Sequence, residues 1–140
     1  MMKLISGKNV KLTMSSEIVE NIENGRKIAN KMLVFLNKYP NGCGLSAVQV
    51  GILKRIFVIR YRGIIKKVIN PEILEKSKDT TKLEEGCLSF PNKFKKIKRS
   101  NTIKVKYNDG KNDVIEYLNG YVARIFQHEY DHLNGKLCVV

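Results

Sequence analysis

His128, Glu129 and His132 form an H-E-x-x-H pattern near the C-terminal end of the 140-residue chain, and they include both histidines of the protein. On an α-helix four residues advance by about 400°, so the two imidazoles fall within roughly 40° of each other, one turn apart, and can reach one cation. Glu129 lies ~100° round from His128, close enough to touch a water on such an ion but poorly placed as a ligand, which suits a general base. The pattern fixes only three positions, so an exposed helix face carrying two unrelated histidines is the competing interpretation.

A hydrolytic metal ion needs a third protein ligand and an open coordination position. Cys87, within E-E-G-C-L-S (Glu84 to Ser89), is the candidate: Gly86 permits a sharp turn at the close of a strand, and a thiolate binds a borderline-soft divalent ion well. A free cysteine is as readily a buried apolar residue. A third segment, N-G-C-G-L-S-A-V-Q-V-G (Asn41 to Gly51), has small residues at Gly42, Gly44, Ser46 and Ala47 that let a substrate or strand approach the backbone. Its Gln49 offers an uncharged amide donor for an oxyanion. The same composition fits a loop packed tightly between helix and sheet.

Residues Ser16 to Asn37 place Ile18, Ile22, Ile28, Met32 and Leu36 at helical spacing, with Ser15 or Ser16 as N-cap and Gly25 as a weak point. Strands are expected at Arg55–Tyr61 and Ile64–Asn70, joined in a hairpin at Arg62-Gly63, then at Thr81–Glu85, Phe94–Arg99 and Thr102–Tyr107. A turn at Asn108–Gly110 leads into a returning strand, Asp113–Leu118. The last helix starts near Asn119, takes its apolar side from Val122, Ile125, Phe126 and Leu133, and stops at Asn134-Gly135. The fold class is therefore α+β: mostly antiparallel sheets packed around a C-terminal helix carrying the H-E-x-x-H, plus one N-terminal helix.

This length suits one domain over residues 1–140, and no apolar run approaches the ~20 residues of a membrane span. The N-terminal stretch does not read as a secretory signal, and an odd count of three cysteines favours a reducing compartment, so a cytoplasmic location is expected. With 26 Lys+Arg against 13 Asp+Glu the net charge is +13, enough to attract a polyanion. Its densest patch, Lys93 to Arg99, reads either as a solvated face or as a nucleic-acid or ribosome contact. No helix-turn-helix, aromatic stacking set or zinc-finger spacing supports a specific DNA partner.

Taken together, G-C-G-L-S-A-V-Q (Gly42 to Gln49), E-G-C-L-S (Glu85 to Ser89) and H-E-Y-D-H (His128 to His132) resemble, in order, the three signatures of the peptide deformylases. V-I-N-P-E-I (Val68 to Ile73) and A-R-I-F-Q-H-E (Ala123 to Glu129) also look like that family's connecting sequence. The resemblance implies a hydrolase that removes the N-formyl group from the N-terminal formyl-methionine of new polypeptides and releases formate. It implies Cys87, His128 and His132 as ligands of one divalent ion, Fe2+ by preference with Zn2+, Ni2+ or Co2+ as substitutes. Glu129 would be the proton shuttle, and the oxyanion would be held by the Gln49 amide and the Leu88 backbone N–H. Substrate contacts are expected from Gly42, Cys43, Gly44, Leu83, Glu85, Tyr121 and Ile125, with Glu85 also paired to Arg99 so as to brace the strand carrying Cys87.

Three departures stand out. Ser46 replaces the usual alanine and needs a backbone partner for its hydroxyl, the familiar N-terminal Pro and Leu-Arg stretch is missing, and K-L-C-V-V (Lys136 to Val140) leaves room only for a terminal strand. A minimal member is expected, without the C-terminal helix or tail by which some relatives dock on the ribosome, and with only a transient, charge-driven attraction to it. Two rivals follow from the same residues: a zinc endopeptidase, which would take a third ligand downstream of His132, and a catalytically inactive basic protein binding ribosome or RNA.

Overall fold

The computed structural model describes residues 2–140. Its organisation follows from strand β2 (Ile56–Tyr61), in which Ile56, Phe57, Val58 and Ile59 are all fully buried. Successive side chains of a strand point to opposite faces, so such a run needs cover on both. Phe57 and Ile59 pack with Val68 against Ala123, Ile125 and Phe126 of helix α2 (Gly120–Leu133). On the other face Ile56, Val58 and Ile69 pack against Ala29, Met32 and Leu36 of helix α1 (Ile22–Leu36). The Phe57 and Phe126 rings meet edge to face at 4.9 Å, a preferred aromatic geometry.

Around β2 runs a five-stranded sheet in the order β1 (Gly44–Ser46), β2, β3 (Ile64–Lys76), β6 (Thr102–Asn108) and β7 (Asp113–Asn119), antiparallel at every pairing. Strands β4 (Thr80–Cys87) and β5 (Phe90–Ser100) form a separate two-stranded sheet. The α+β class and the hairpin at Arg62-Gly63 are as expected from sequence, and Gly135 closes α2 at φ +73°, where a Cβ would stand 2.5 Å from the Thr13 carbonyl oxygen.

Several boundaries differ. Helix α1 starts at Ile22, six residues later than its periodicity suggests, because Ser16 to Val19 are bound elsewhere: Ser16 N–H donates to Leu133 O, Glu17 bridges Lys54, and Val19 is tied to Asn70. Asn21 then caps the helix by accepting from Asn24 N–H. Strand β3 continues past Pro71 to Lys76 because the chain bulges between Ile69 and Glu72, the place in a sheet where proline is tolerated. Asn70 makes that bend at φ +52°. Gly44 to Ser46, expected as loop, form edge strand β1, and Ala47–Val50 make a single 3₁₀ turn. Lys136 to Val140 form no strand: Val139 turns inward against Leu12, Val48 and Phe90.

Asn70 accepts from Val19 N–H at 2.8 Å and donates to Val19 O at 2.9 Å, joining the segment before α1 to the bulge. Asn70→Ala removes both bonds and leaves a Cβ-bearing residue without local compensation at positive φ, so it should lower unfolding free energy by about 2–3 kcal/mol in urea titration, with the far-UV circular dichroism spectrum unchanged.

Candidate metal centre

Helix α2 presents His128 and His132 with ring centroids 5.2 Å apart, and the end of β4 brings Cys87 to them. Cys87 Sγ lies 3.3 Å from His132 Nε2, and one ligand atom from each of Cys87, His128 and His132 falls within 4.8 Å of the others. A tetrahedral ion with sulfur at ~2.3 Å and nitrogen at ~2.0–2.1 Å would hold those atoms roughly 3.6 Å apart. The donor set therefore fits a borderline-soft divalent ion with one position left for solvent or substrate.

Because β4 and β5 share no ladder with the main sheet, side chains must hold Cys87 against α2. Arg124, Gln127, His128 and Asp131 recur on one side of the helix at three- and four-residue spacing, and all four reach the hairpin. Glu85, one pleat before Cys87, accepts from Arg99 Nε and Nη2 at 3.0 Å each, from Arg124 Nη1, and meets His128 Nδ1 at 2.8 Å. Arg99 also donates to Asp131, while Arg124 donates to the Thr81 and Ile97 carbonyls. Gln127 exchanges two bonds with the Ser100 backbone.

Both oxygens of Glu85 are thus taken, which makes it a brace between hairpin and helix. With Nδ1 of His128 engaged, Nε2 is free to serve a cation, the carboxylate–histidine arrangement that fixes a metal-binding imidazole. Cys138 Sγ also stands 3.5 Å from His128 Nδ1, and Glu85, His128 and Cys138 make a second trio of donor atoms. Its carboxylate is already spent on two guanidinium groups, so the trio containing Cys87 is the better site.

Glu129 is buried, with Oε1 lacking any partner, and Gly44 passes so close that a Cβ there would stand 2.7 Å from Glu129 Oε2. Burial pushes the Glu129 carboxyl up to about 7, with the His128 charge opposing and the Glu85 charge adding to the rise. Burial, then the charges of His128 and Arg99, hold His132 down at about 3, so it is a neutral imidazole as a ligand must be. His128 shifts upward: burial opposes its charge, but the Cys138, Cys87 and Glu85 contacts outweigh that, so a cation would displace its proton.

Gln49 Nε2 donates to Ser89 Oγ at 3.0 Å and lies 3.5 Å from Cys87 Sγ, while Gln49 Oε1 accepts from Ser46 N–H and Oγ. The Ser46 hydroxyl therefore finds a partner in the Gln49 side chain, within a capping box at the start of the 3₁₀ turn. These bonds fix which end of the Gln49 amide faces the thiol. Leu88, directly after Cys87, is half-buried on the wall of a cavity of about 500 Å³ that Glu129 and Gln49 also line. Of the residues named above as substrate contacts, Gly42, Cys43, Gly44, Glu85, Tyr121 and Ile125 line it. Leu83 does not: it is 45% exposed, outside the lining. Phe90 and Arg124 line the cavity without having been singled out. Arg124 carried a readable signal, since it lies one turn before His128.

An H-E-x-x-H helix with a thiol from a neighbouring strand defines a metal-dependent hydrolase built around one ion. The family model described as polypeptide deformylase matches residues 1–140. The peptide deformylase of Thermotoga maritima is 49% identical over 118 residues, which is 84% of this chain and 71% of that one. That of Rickettsia akari is 38% identical over 137 residues, 89% and 77% of the two chains. The crystal structure of the T. maritima enzyme superposes with a TM-score of 0.93 at 45% identity, covering 98% of this chain and 94% of that one. A probable peptide deformylase from Synechococcus phage S-SSM7 gives 0.90 at 31% identity, covering 98% and 97%. The chain belongs to the polypeptide deformylase family.

Burial works against ionisation of Glu85, but the bonds and charges of His128 and Arg99 overcome it and hold its carboxyl down at about 2 against an ordinary 4.5. Its contribution to stability is therefore complete above pH 4.5 and lost as pH falls toward 2. Glu85→Gln leaves two buried guanidinium groups short of a counter-charge and should lower unfolding free energy at pH 7 by about 3–5 kcal/mol. In urea titrations run from pH 7 to 2.5, the gap between wild type and variant should narrow only below pH 4.5.

Proposed function

We propose that this protein removes the formyl group from the N-terminal formyl-methionine of newly made polypeptides, releasing formate and a free amino terminus, with residues 1–140 as one catalytic domain. The observation that carries the proposal is the convergence of Cys87, His128 and His132 at a cavity whose wall includes Cys87, His128 and Glu129, the last with a buried, unpartnered carboxyl oxygen. Cys87, His128 and His132 would hold the ion, Fe2+ by preference, with Zn2+, Ni2+ or Co2+ able to replace it. Bound there, such an ion supplies Lewis acidity, lowering the pKa of water and polarising a carbonyl.

Glu129 takes a proton from the attacking water and returns it to the departing amine, a role suited to a carboxyl that titrates near neutral pH. Charge developing on the formyl oxygen meets the Gln49 side-chain N–H and the Leu88 backbone N–H. Gly44 allows strand β1 to run beside Glu129, and β1 is paired on one side only, so an extended peptide can add to its free edge. The methionine side chain then lies against Cys43, Tyr121 and Ile125. The exposed Lys82, Lys96 and Lys98 of the hairpin support a transient, salt-sensitive attraction to the ribosome, and a cytoplasmic location accords with it. No observation favours a basic binding protein without catalysis, and the donor trio of Cys87, His128 and His132 supports a catalyst. In a peptidase of this pattern a further histidine or carboxylate would be the third ligand, a place for which the Cys87 thiol, 3.3 Å from His132 Nε2, is the candidate here.

Glu129→Ala should retain metal by atomic absorption while kcat on a formyl-methionyl peptide drops at least 10²- to 10⁴-fold. Full activity in that variant would refute the assignment. The iron-loaded enzyme should lose activity in air as the ferrous ion and its thiolate oxidise, whereas the nickel- or zinc-loaded enzyme persists; an air-stable iron form would count against Cys87 as a ligand.

A further inference from the structure

The cavity wall carries six charged residues, and they divide by exposure. Glu85, Arg124, His128 and Glu129 are buried, whereas Lys38 and Lys93 are exposed. Lys38 follows the end of α1, with Nζ 5.3 Å from the centroid of the Phe35 ring. Lys93 lies on β5, with Nζ 5.8 Å from the centroid of the Phe90 ring. Each ammonium is thereby held near an aromatic face, and among the described residues neither is paired with a carboxylate. The polar residues beside them, Asn41 and Asn92, are neutral. Every exposed charge on the cavity wall is therefore positive.

A polypeptide whose formyl end reaches the metal centre leaves through the mouth of this cavity, whose wall includes Lys38 and Lys93. We infer that Lys38 and Lys93 form an acid-selecting subsite, favouring nascent chains with aspartate or glutamate directly after the formyl-methionine and disfavouring those with lysine or arginine. This rests on the deformylase reading and adds to it a substrate preference set by this chain's own lysines. An exposed ion pair shifts an equilibrium by roughly 1.5- to 5-fold, so two lysines should together give a kcat/KM ratio of about ten between acidic and basic peptides at low salt. Screening should bring that ratio toward one at 0.5 M salt.

The test measures kcat/KM of the metal-loaded enzyme for formyl-Met-Glu-Asp-Ala, formyl-Met-Ala-Ala-Ala and formyl-Met-Lys-Lys-Ala at 0.05 and 0.5 M salt. The expected order is acidic, neutral, basic at low salt. Lys38→Gln with Lys93→Gln should bring the ratio near one, and Lys38→Glu with Lys93→Glu should invert it, folding being checked by circular dichroism. Lys78→Glu with Lys111→Glu makes the same change in net charge at turns outside the cavity and should leave the ratio as it was. A wild-type ratio near one, or an equal shift in the Lys78/Lys111 variant, overturns the inference while leaving the deformylase reading intact. Absence of formate from all three peptides overturns both.

Discussion

The centre of this molecule depends on one buried carboxylate. Glu85 sits where a two-stranded hairpin meets a helix, and its two oxygens are shared among Arg99, Arg124 and an imidazole that belongs to the candidate metal site. Hairpin and main sheet share no ladder, so the relative position of sulfur and ring nitrogens is set by this charged cluster and by Gln127 at the Ser100 backbone. Buried ion pairs contribute little net stability because desolvation offsets attraction, but they punish misalignment severely. That property suits a place where three donor atoms from two elements must meet within a few tenths of an ångström.

The rest of the fold supplies a rigid floor. Strand β2 is apolar on both faces, so α1 and α2 clamp the sheet from opposite sides, and the helix bearing His128 and His132 is fixed by Phe126 and Leu133 packing beneath it. Strand β1 carries Gly44 past the buried Glu129 carboxyl, and the absence of a side chain there lets the strand lie directly against that group. Ser46, Gln49 and Ser89 form a chain of hydrogen bonds that ends at the Cys87 thiol, so the third motif reaches the second through side-chain amide and hydroxyl groups.

What could be read from the sequence was chiefly local. The H-E-x-x-H helix, its glycine stop, the Arg62-Gly63 hairpin and the Glu85–Arg99 pair all follow from spacing, turn chemistry or family resemblance. The start of α1 was not readable, because Ile18 and Val19 continue its apolar pattern while bonds from distant Leu133 and Asn70 hold that segment extended. Pro71 misled in the same way, since a bulge lets strand β3 pass through a residue that ordinarily ends one. The resemblance puts Leu83 in the pocket, yet its side chain is exposed and off the cavity wall, two residues along β4 from the buried Glu85. Arg124 lies one turn before His128, on the same side of α2, but only the buried Glu85 beside it makes that arginine structural.

The hairpin's separateness bears on how an ion enters and leaves. Parting β4 and β5 from α2 would break the bonds of Glu85 to Arg124 and His128, of Arg99 to Asp131, and of Arg124 and Gln127 to the hairpin backbone, but none within the five-stranded sheet. A sub-global opening of that kind withdraws the sulfur and leaves both imidazoles standing on an intact helix. An ion held by sulfur and imidazole alike would in turn tie those two strands to the helix, adding to the side-chain bonds that already join them.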